Sequence, residues 1–304
     1  MRYFLSCIAS STILATACGT QPIEHDIGPG LDTEDQALEG QNSASVNSIS
    51  PNGVSPNGVS PNGISIKGVS PNGVSVSGIS VTGVSVSGGV LTGTSSDGTR
   101  LSGADFVGAA LTASASNGAT VSLHIDDAAW LTGANSDVLG YAVSLQSDGG
   151  WTTACGLEPD GTPVLALVVP GTWDLANGAW SDDSRAFSLS CRHAAVAKCV
   201  ELGYKSWQGY GDYHHACVRM LRADYCGDGT PHTVNGTLIN LYDELGIQLD
   251  AEQWPVDAEW GPDGARCMNH IRGGTLPACY AAKFTPTCGD FSHGGLLVDE
   301  YNGQ

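Results

Sequence analysis

Glycine occupies every fifth position from Gly53 to Gly108 without a miss. From Ile49 the chain reads ISPNG VSPNG VSPNG ISIKG VSPNG VSVSG ISVTG VSVSG, and the spacing survives a change of wording in GVLTG TSSDG TRLSG ADFVG AALTA. A unit this short buries nothing by itself. A strict period therefore restricts the segment to two forms. One is a stack of like units sharing a core. The other is a disordered, elastic stalk, which the Pro-Asn-Gly turn signals would also suit.

The block Ala104-Asp-Phe-Val-Gly-Ala-Ala-Leu-Thr-Ala113 resembles the pentapeptide-repeat family, whose unit is small–Asp/Asn–Leu/Phe–x–x. That resemblance implies a right-handed β-helix with four units to a turn. Residues 49–113 hold thirteen units, which makes about three turns stacked at ~4.8 Å. In that phase Val54, Val59, Ile64, Val69, Val74, Ile79 and Val84 take the small inward position. The central inward position falls to Pro56, Pro61, Ile66, Pro71, Val76, Val81, Val86, Leu101, Phe106 and Leu111. The prolines depart from the family pattern, because they lack a donor for the ladder. Order is expected more in residues 76–113 than in the Pro-Asn-Gly part.

Ahead of the repeat, residues 1–17 carry one arginine, an apolar small-residue run and Ala15-Thr-Ala17, the layout of a secretory signal. The run is too short to span a bilayer. Leu14-Ala-Thr-Ala-Cys18 resembles a bacterial lipoprotein box, which implies acylation of Cys18, although leucine is usual at Ala15. Ordinary signal cleavage before an incidental cysteine is the alternative. By the same resemblance Gly19 directs the protein to the outer membrane. Residues 18–48 are polar and acidic, with few branched apolar side chains, and read as a disordered tether.

The net charge is -19, from 31 acids against 12 bases. No basic stripe is available to neutralise phosphates, so nucleic acid is not an expected partner. The expected partners are a membrane, through the N-terminal lipid, and an unidentified extracellular or periplasmic ligand.

Beyond residue 150 the dominant feature is sulfur: Cys155, Cys191, Cys199, Cys217, Cys226, Cys267, Cys279 and Cys288. An even number of cysteines in an exported domain reads as four disulfides, with connectivity left open. No Cys-x-x-Cys pair occurs, so structural zinc is not expected. Thr120–Ile125, Tyr141–Leu145, Val164–Val169 and Ala186–Ser190 read as strands. His193–Leu202, His215–Ala223 and Asn240–Gly246 read as helices, the last with an Asn cap and a glycine stop. Strands followed by helices suggest an α+β, disulfide-rich domain over residues 114–304, preceded by the β-helix or disordered stalk.

Met220-Leu-Arg-Ala-Asp-Tyr-Cys-Gly-Asp-Gly-Thr-Pro-His232 gathers an acid, a phenol, a thiol and an imidazole. As a reactive site it would need Cys226 as thiolate, His214, His215 or His232 as base and Asp224 as orienter. An oxidising compartment with seven neighbouring cysteines should consume that thiol. The structural reading is a stapled turn. The helix ends near Tyr225, Gly227-Asp228-Gly229 reverses the chain, Asp224 accepts loop N–H groups and Arg222 pairs with an acid. A calcium loop from Asp224, Asp228 and Asn235 is a lesser alternative, since no EF-hand spacing is present.

The stretch Cys217–His232 resembles the signature of the ADYC domain of bacterial lipoproteins, named for Ala223-Asp224-Tyr225-Cys226. Cys191, Ala197–Trp207 and Trp260–Cys267 fit the same resemblance, which covers roughly residues 100–304. It implies an architecture and no catalytic residues. A hydrolase using carboxylates such as Asp257 and Glu259, or Asp243 and Glu244, is the competing reading. Trp151, Trp173, Trp180, Trp207, Trp254 and Trp260 serve either as core packing or as a sugar-stacking platform. The globular part has no nucleophile elbow, phosphate loop or dinucleotide fingerprint, so no cofactor is expected.

Overall fold

Five is odd and a β-strand has a side-chain period of two, so a five-residue unit laid along a strand changes face at each repeat. Two units, ten residues, are therefore the natural structural step. The computed structural model describes residues 45–47, 66–115, 118–147, 150–173, 180–182, 186–234, 236–249 and 254–303. The expected signal, Cys18, most of the tether and the repeat units over 49–65 lie outside the described residues. After β1 (Ser45–Asn47), the repeat forms β2 (Ile66–Val76), β3 (Ile79–Ser87), β4 (Val90–Ser95) and β5 (Arg100–Ser102), an antiparallel meander. The tight turns fall at Ser77-Gly78 and Gly88-Gly89, with their period glycines Gly78 and Gly88 ten residues apart. Their closing pairs are Val76 with Ile79 and Ser87 with Val90. All four turn residues have positive φ, as a two-residue hairpin of the primed type requires.

The β-helix expectation is thereby overturned. Alternate glycines reverse the chain, and the strands bond sideways through hairpins instead of stacking turn on turn. Pro71 sits where the β2 pairing skips from Ser70 to Ser75, so no ladder donor is lost. Several of the side chains expected inward are buried, among them Val69, Val74, Val81, Val84, Phe106 and Leu111, whereas Ile79 is exposed.

The meander runs on into a closed barrel. β6 (Ala109–Ala115), β7 (Thr120–Trp130) and β8 (Leu139–Ser147) follow, with β9 (Gly150–Thr153) beside β8. β10 (Ala166–Pro170), the small ribbon β11 (Thr172–Trp173) with β12 (Trp180–Ser181), and β13 (Phe187–Cys191) come next. Antiparallel pairing runs β13-β10-β8-β7-β6-β2, and Phe187 opposite Val69 joins β2 back to β13. Closure leaves those six strands without a free edge. Leu111, Leu123, Ile125, Val143, Leu145, Val168 and Leu189 fill the inside. Cys155–Cys191 fastens the loop after β9 to the end of β13.

Behind the barrel, α1 (Ala195–Glu201) and α2 (Gly211–Arg222) are joined by Cys199–Cys217. They pack on a second sheet made of β14 (Thr237–Asp243), β15 (Val256–Gly261), β16 (Gly264–Met268) and β17 (Leu297–Tyr301), ordered β1-β14-β17-β15-β16. The one-turn α3 (Tyr280–Lys283) lies between β16 and β17 in sequence. Val196, Val200, Val218, Leu221, Ile239, Leu241 and Trp260 belong to this second core.

Strand accounts for 45% and helix for 15%, so the class is mostly β with a six-stranded barrel, and the α+β expectation is corrected. The helix expected over Asn240–Gly246 is the clearest local cause. Residues 239–243 pair with β17, Leu241 opposite Asp299, and tertiary pairing overrides the local cap signal.

Candidate functional site

α2 ends at the four signature residues, and each has a structural partner. Ala223 closes the helix in the left-handed conformation (φ 50°), where glycine is usual, and its methyl is fully buried. Asp224 is buried between two arginines: it bonds Arg219 Nη1 and lies 3.6 Å from Arg222 Nη1. The carboxylate also accepts the Gly229 N–H at 3.0 Å, as the stapled-turn reading expects. Cys226 is bonded to Cys279. Gly227 (φ +72°) rests on the β15–β16 turn, where a Cβ would stand 1.9 Å from the Asp263 carbonyl oxygen. Ala265 N–H donates to the Tyr225 carbonyl at 3.0 Å and Arg219 Nε to the Pro262 carbonyl at 3.1 Å. Two of the stretches that carried the resemblance, 217–232 and 260–267, are thus bound to each other.

Tyr225 anchors a buried ionic network. Its hydroxyl donates to Asp257 Oδ1 at 2.6 Å and accepts the Arg272 backbone N–H at 2.8 Å. Arg272 Nε donates to Asp257 Oδ2 at 2.7 Å, and Nη2 reaches the Met220 carbonyl and lies 3.3 Å from Asp299 Oδ2. Trp260 Nε1 donates to Asp299 Oδ1 at 2.6 Å, and the Tyr225 ring stacks on Trp260. Asp257, Asp299 and Tyr225 are 0% exposed and Arg272 1%. Burial pushes Asp299 well above the usual carboxylate range, and the Asp257 charge adds to that push. Burial also raises Asp257, with Arg272 opposing. One guanidinium faces two buried carboxylates, so burial opposes ionisation of both while Arg272 favours it. Removing Arg272 would leave two buried carboxylates without their cation.

The carboxylates considered for hydrolysis are engaged in the same way. Glu259 accepts backbone N–H groups of Gly289, His293 and Gly295, plus His293 Nδ1 at 3.1 Å. Asp243 accepts Tyr204 Oη–H at 2.7 Å and the Ile247 and Gln248 N–H groups. Glu259, Cys267 and His293 lie close enough to suggest a metal site. However, the Cys267 sulfur is bonded to Cys288 and the Glu259 oxygens already hold four donors.

The reactive grouping around Cys226 does not assemble, because its sulfur is in a disulfide. His214 is buried, with Nε2 on the Val196 carbonyl, and His215 lies against Trp173 and Trp180. His232 packs on Tyr225. Two flanking guanidiniums disfavour a cation at Asp224, Asp228 bonds the Thr230 N–H, and Asn235 lies outside the described residues. Arg272 and Asp299 carried no sequence signal, since only folding sets them beside Tyr225.

One polar group faces outward and was missed. His124 Nδ1 bonds Asp126 Oδ1 at 2.8 Å, and Ser144 Oγ donates to Asp126 Oδ2. His124 and Ser144 are directly opposite on β7 and β8, and Asp126 sits at the bulge between Ile125 and Asp127. The indole of Trp151 on β9, 51% exposed, meets the His124 ring edge-on at 6.0 Å. The serine bonds the acid and not the imidazole, so the three do not form a serine–histidine–acid relay. The available signal was His124-x-Asp126 on the predicted strand over Thr120–Ile125.

All eight cysteines beyond residue 150 are paired, which marks an oxidising environment outside the cytoplasm. Among the described residues no helix is long and apolar enough to cross a membrane. No curated protein and no solved structure matches the chain. The ADYC domain profile matches residues 103–274, from the last repeat units through five of the six barrel strands, both long helices and the β15–β16 hairpin, and with more than half its length so matched the chain belongs to the ADYC domain family.

Proposed function

We propose that the protein is an outer-membrane lipoprotein whose folded part is a non-catalytic binding or structural module, held by an acyl group on Cys18. One observation carries the non-catalytic reading. The polar groups of the signature are buried and bonded within the protein: Asp224 to arginines, Tyr225 to Asp257 and Cys226 to Cys279. Groups that must meet a substrate need access to it. The anchor is supported by Leu14–Cys18 and by the polar stretch after it, long enough to hold the barrel clear of the lipid.

Two measurements test the proposal. Cells expressing the full chain are fed an alkyne palmitate analogue and their membranes are fractionated. Label should appear in the outer membrane and vanish in Cys18→Ser; an unlabelled, freely released wild-type protein overturns the anchor. Purified exported protein is then incubated with peptidoglycan, polysaccharide and peptide substrates. Turnover by wild type that is lost in a folded, fully oxidised Asp257→Asn or Glu259→Gln variant overturns the non-catalytic reading.

A further inference from the structure

We propose that the outer face of β7, β8 and β9 binds an uncharged saccharide, with Trp151 as the stacking surface and Asp126, His124 and Ser144 as the polar edge. The proposal rests on the reading of the protein as a binding module and names its ligand class. Trp151 and His124 are on strands separated by β8, about 9.6 Å apart at sheet spacing. Their ring centroids are nonetheless 6.0 Å apart, so the indole reaches back across β8. It does so while half exposed, presenting apolar ring surface beside hydrogen-bonding groups. Sugars combine these needs: C–H faces that pack on an aromatic ring and hydroxyls at the rim that seek oriented donors and acceptors.

The polar edge is ordered beforehand. Asp126 is held from two sides by His124 and Ser144, and this leaves His124 Nε2 without a partner among the described residues. Thr153 continues the row, opposite Ser144. Beneath the face, Leu123, Ile125, Val143 and Leu145 point into the barrel core and stiffen it.

Charge narrows the class. From residue 101 to residue 184 the sequence contains no lysine or arginine and ten acids. Acidic polysaccharides and phosphate-bearing ligands would be repelled. A cationic peptide would be attracted by charge alone, and the test separates it.

The purified, oxidised full chain is run in native gels containing hydroxyethylcellulose, laminarin, mannan or pullulan, with polygalacturonate and polylysine in parallel. At least one neutral polymer should retard the wild type. Trp151→Ala should weaken retardation about tenfold and Asp126→Asn several-fold, both with unchanged melting. The face assignment fails if no neutral polymer retards the protein, if Trp151→Ala binds like wild type, or if only polygalacturonate or polylysine retards it. Retardation that persists in Trp151→Ala leaves the module reading standing and removes this face. Cleavage of the polymer by wild type removes the module reading itself.

Discussion

Tyr225→Phe removes one oxygen and nothing else. The ring keeps its place against Trp260, at a centroid distance of 5.1 Å, so no cavity opens. Two groups lose their partner in a site that water does not reach: the Arg272 backbone N–H and Asp257 Oδ1. An orphaned buried group costs about 1–3 kcal/mol, and hydrogen bonds to charged groups stand at the upper end. Together they should destabilise the fold by about 2–5 kcal/mol, a large share of an ordinary domain's stability. For a body of this size that lowers Tm by about 7–14 °C at the middle of the range. The protein carries its own calibration. Tyr141 is equally buried, but its hydroxyl only accepts the Leu91 N–H, so Tyr141→Phe orphans one neutral group and should cost about half as much. The assay is calorimetric melting at pH 7 with all four disulfides intact. A Tyr225→Phe midpoint within about 2 °C of wild type, or a smaller loss than Tyr141→Phe, would refute the reasoning.

Two further predictions concern the same core. Burial lowers His214 and His215 from 6.5 to about 4, so both are neutral in the fold and protonated in the unfolded chain between those values. Their contribution to stability is present above pH 6.5 and is lost as the pH falls to about 4; in NMR titrations neither imidazole should move above pH 5, and a midpoint near 6.5 refutes this. Gly227→Ala should prevent accumulation of fully oxidised protein, because its Cβ would meet the Asp263 carbonyl at 1.9 Å. Gly209→Ala, also at positive φ but with nothing within 4 Å, should cost only about 1 kcal/mol and export normally.

The four strands and two longer helices of the middle of the chain were legible, because alternation and alanine-rich runs are local patterns. Asn240–Gly246 was not, since its capping signals are those of a short helix while β17, nearly sixty residues on, supplies the pairing that makes it a strand. The repeat was legible as a period and misread as a stack. The glycine spacing alone does not say whether successive turns reverse the chain or carry it onward, and strand closure against Phe187 settles that. At the signature, the stapled turn was readable from Gly227, Gly229 and Cys226. Arg272 and Asp299 were not, because nothing nearby in sequence calls for a buried charge.

Residue chemistry alone therefore determined where the chain is free to turn, at its glycines, and that its later cysteines would be cross-linked. φ restrictions and thiol oxidation belong to a residue and its compartment. Which cysteine meets which, where the barrel closes, and that Tyr225 holds Asp257 against Arg272 were decided only in three dimensions. Those contacts join segments distant along the chain, and they form only where burying them together outweighs the entropy of bringing them together.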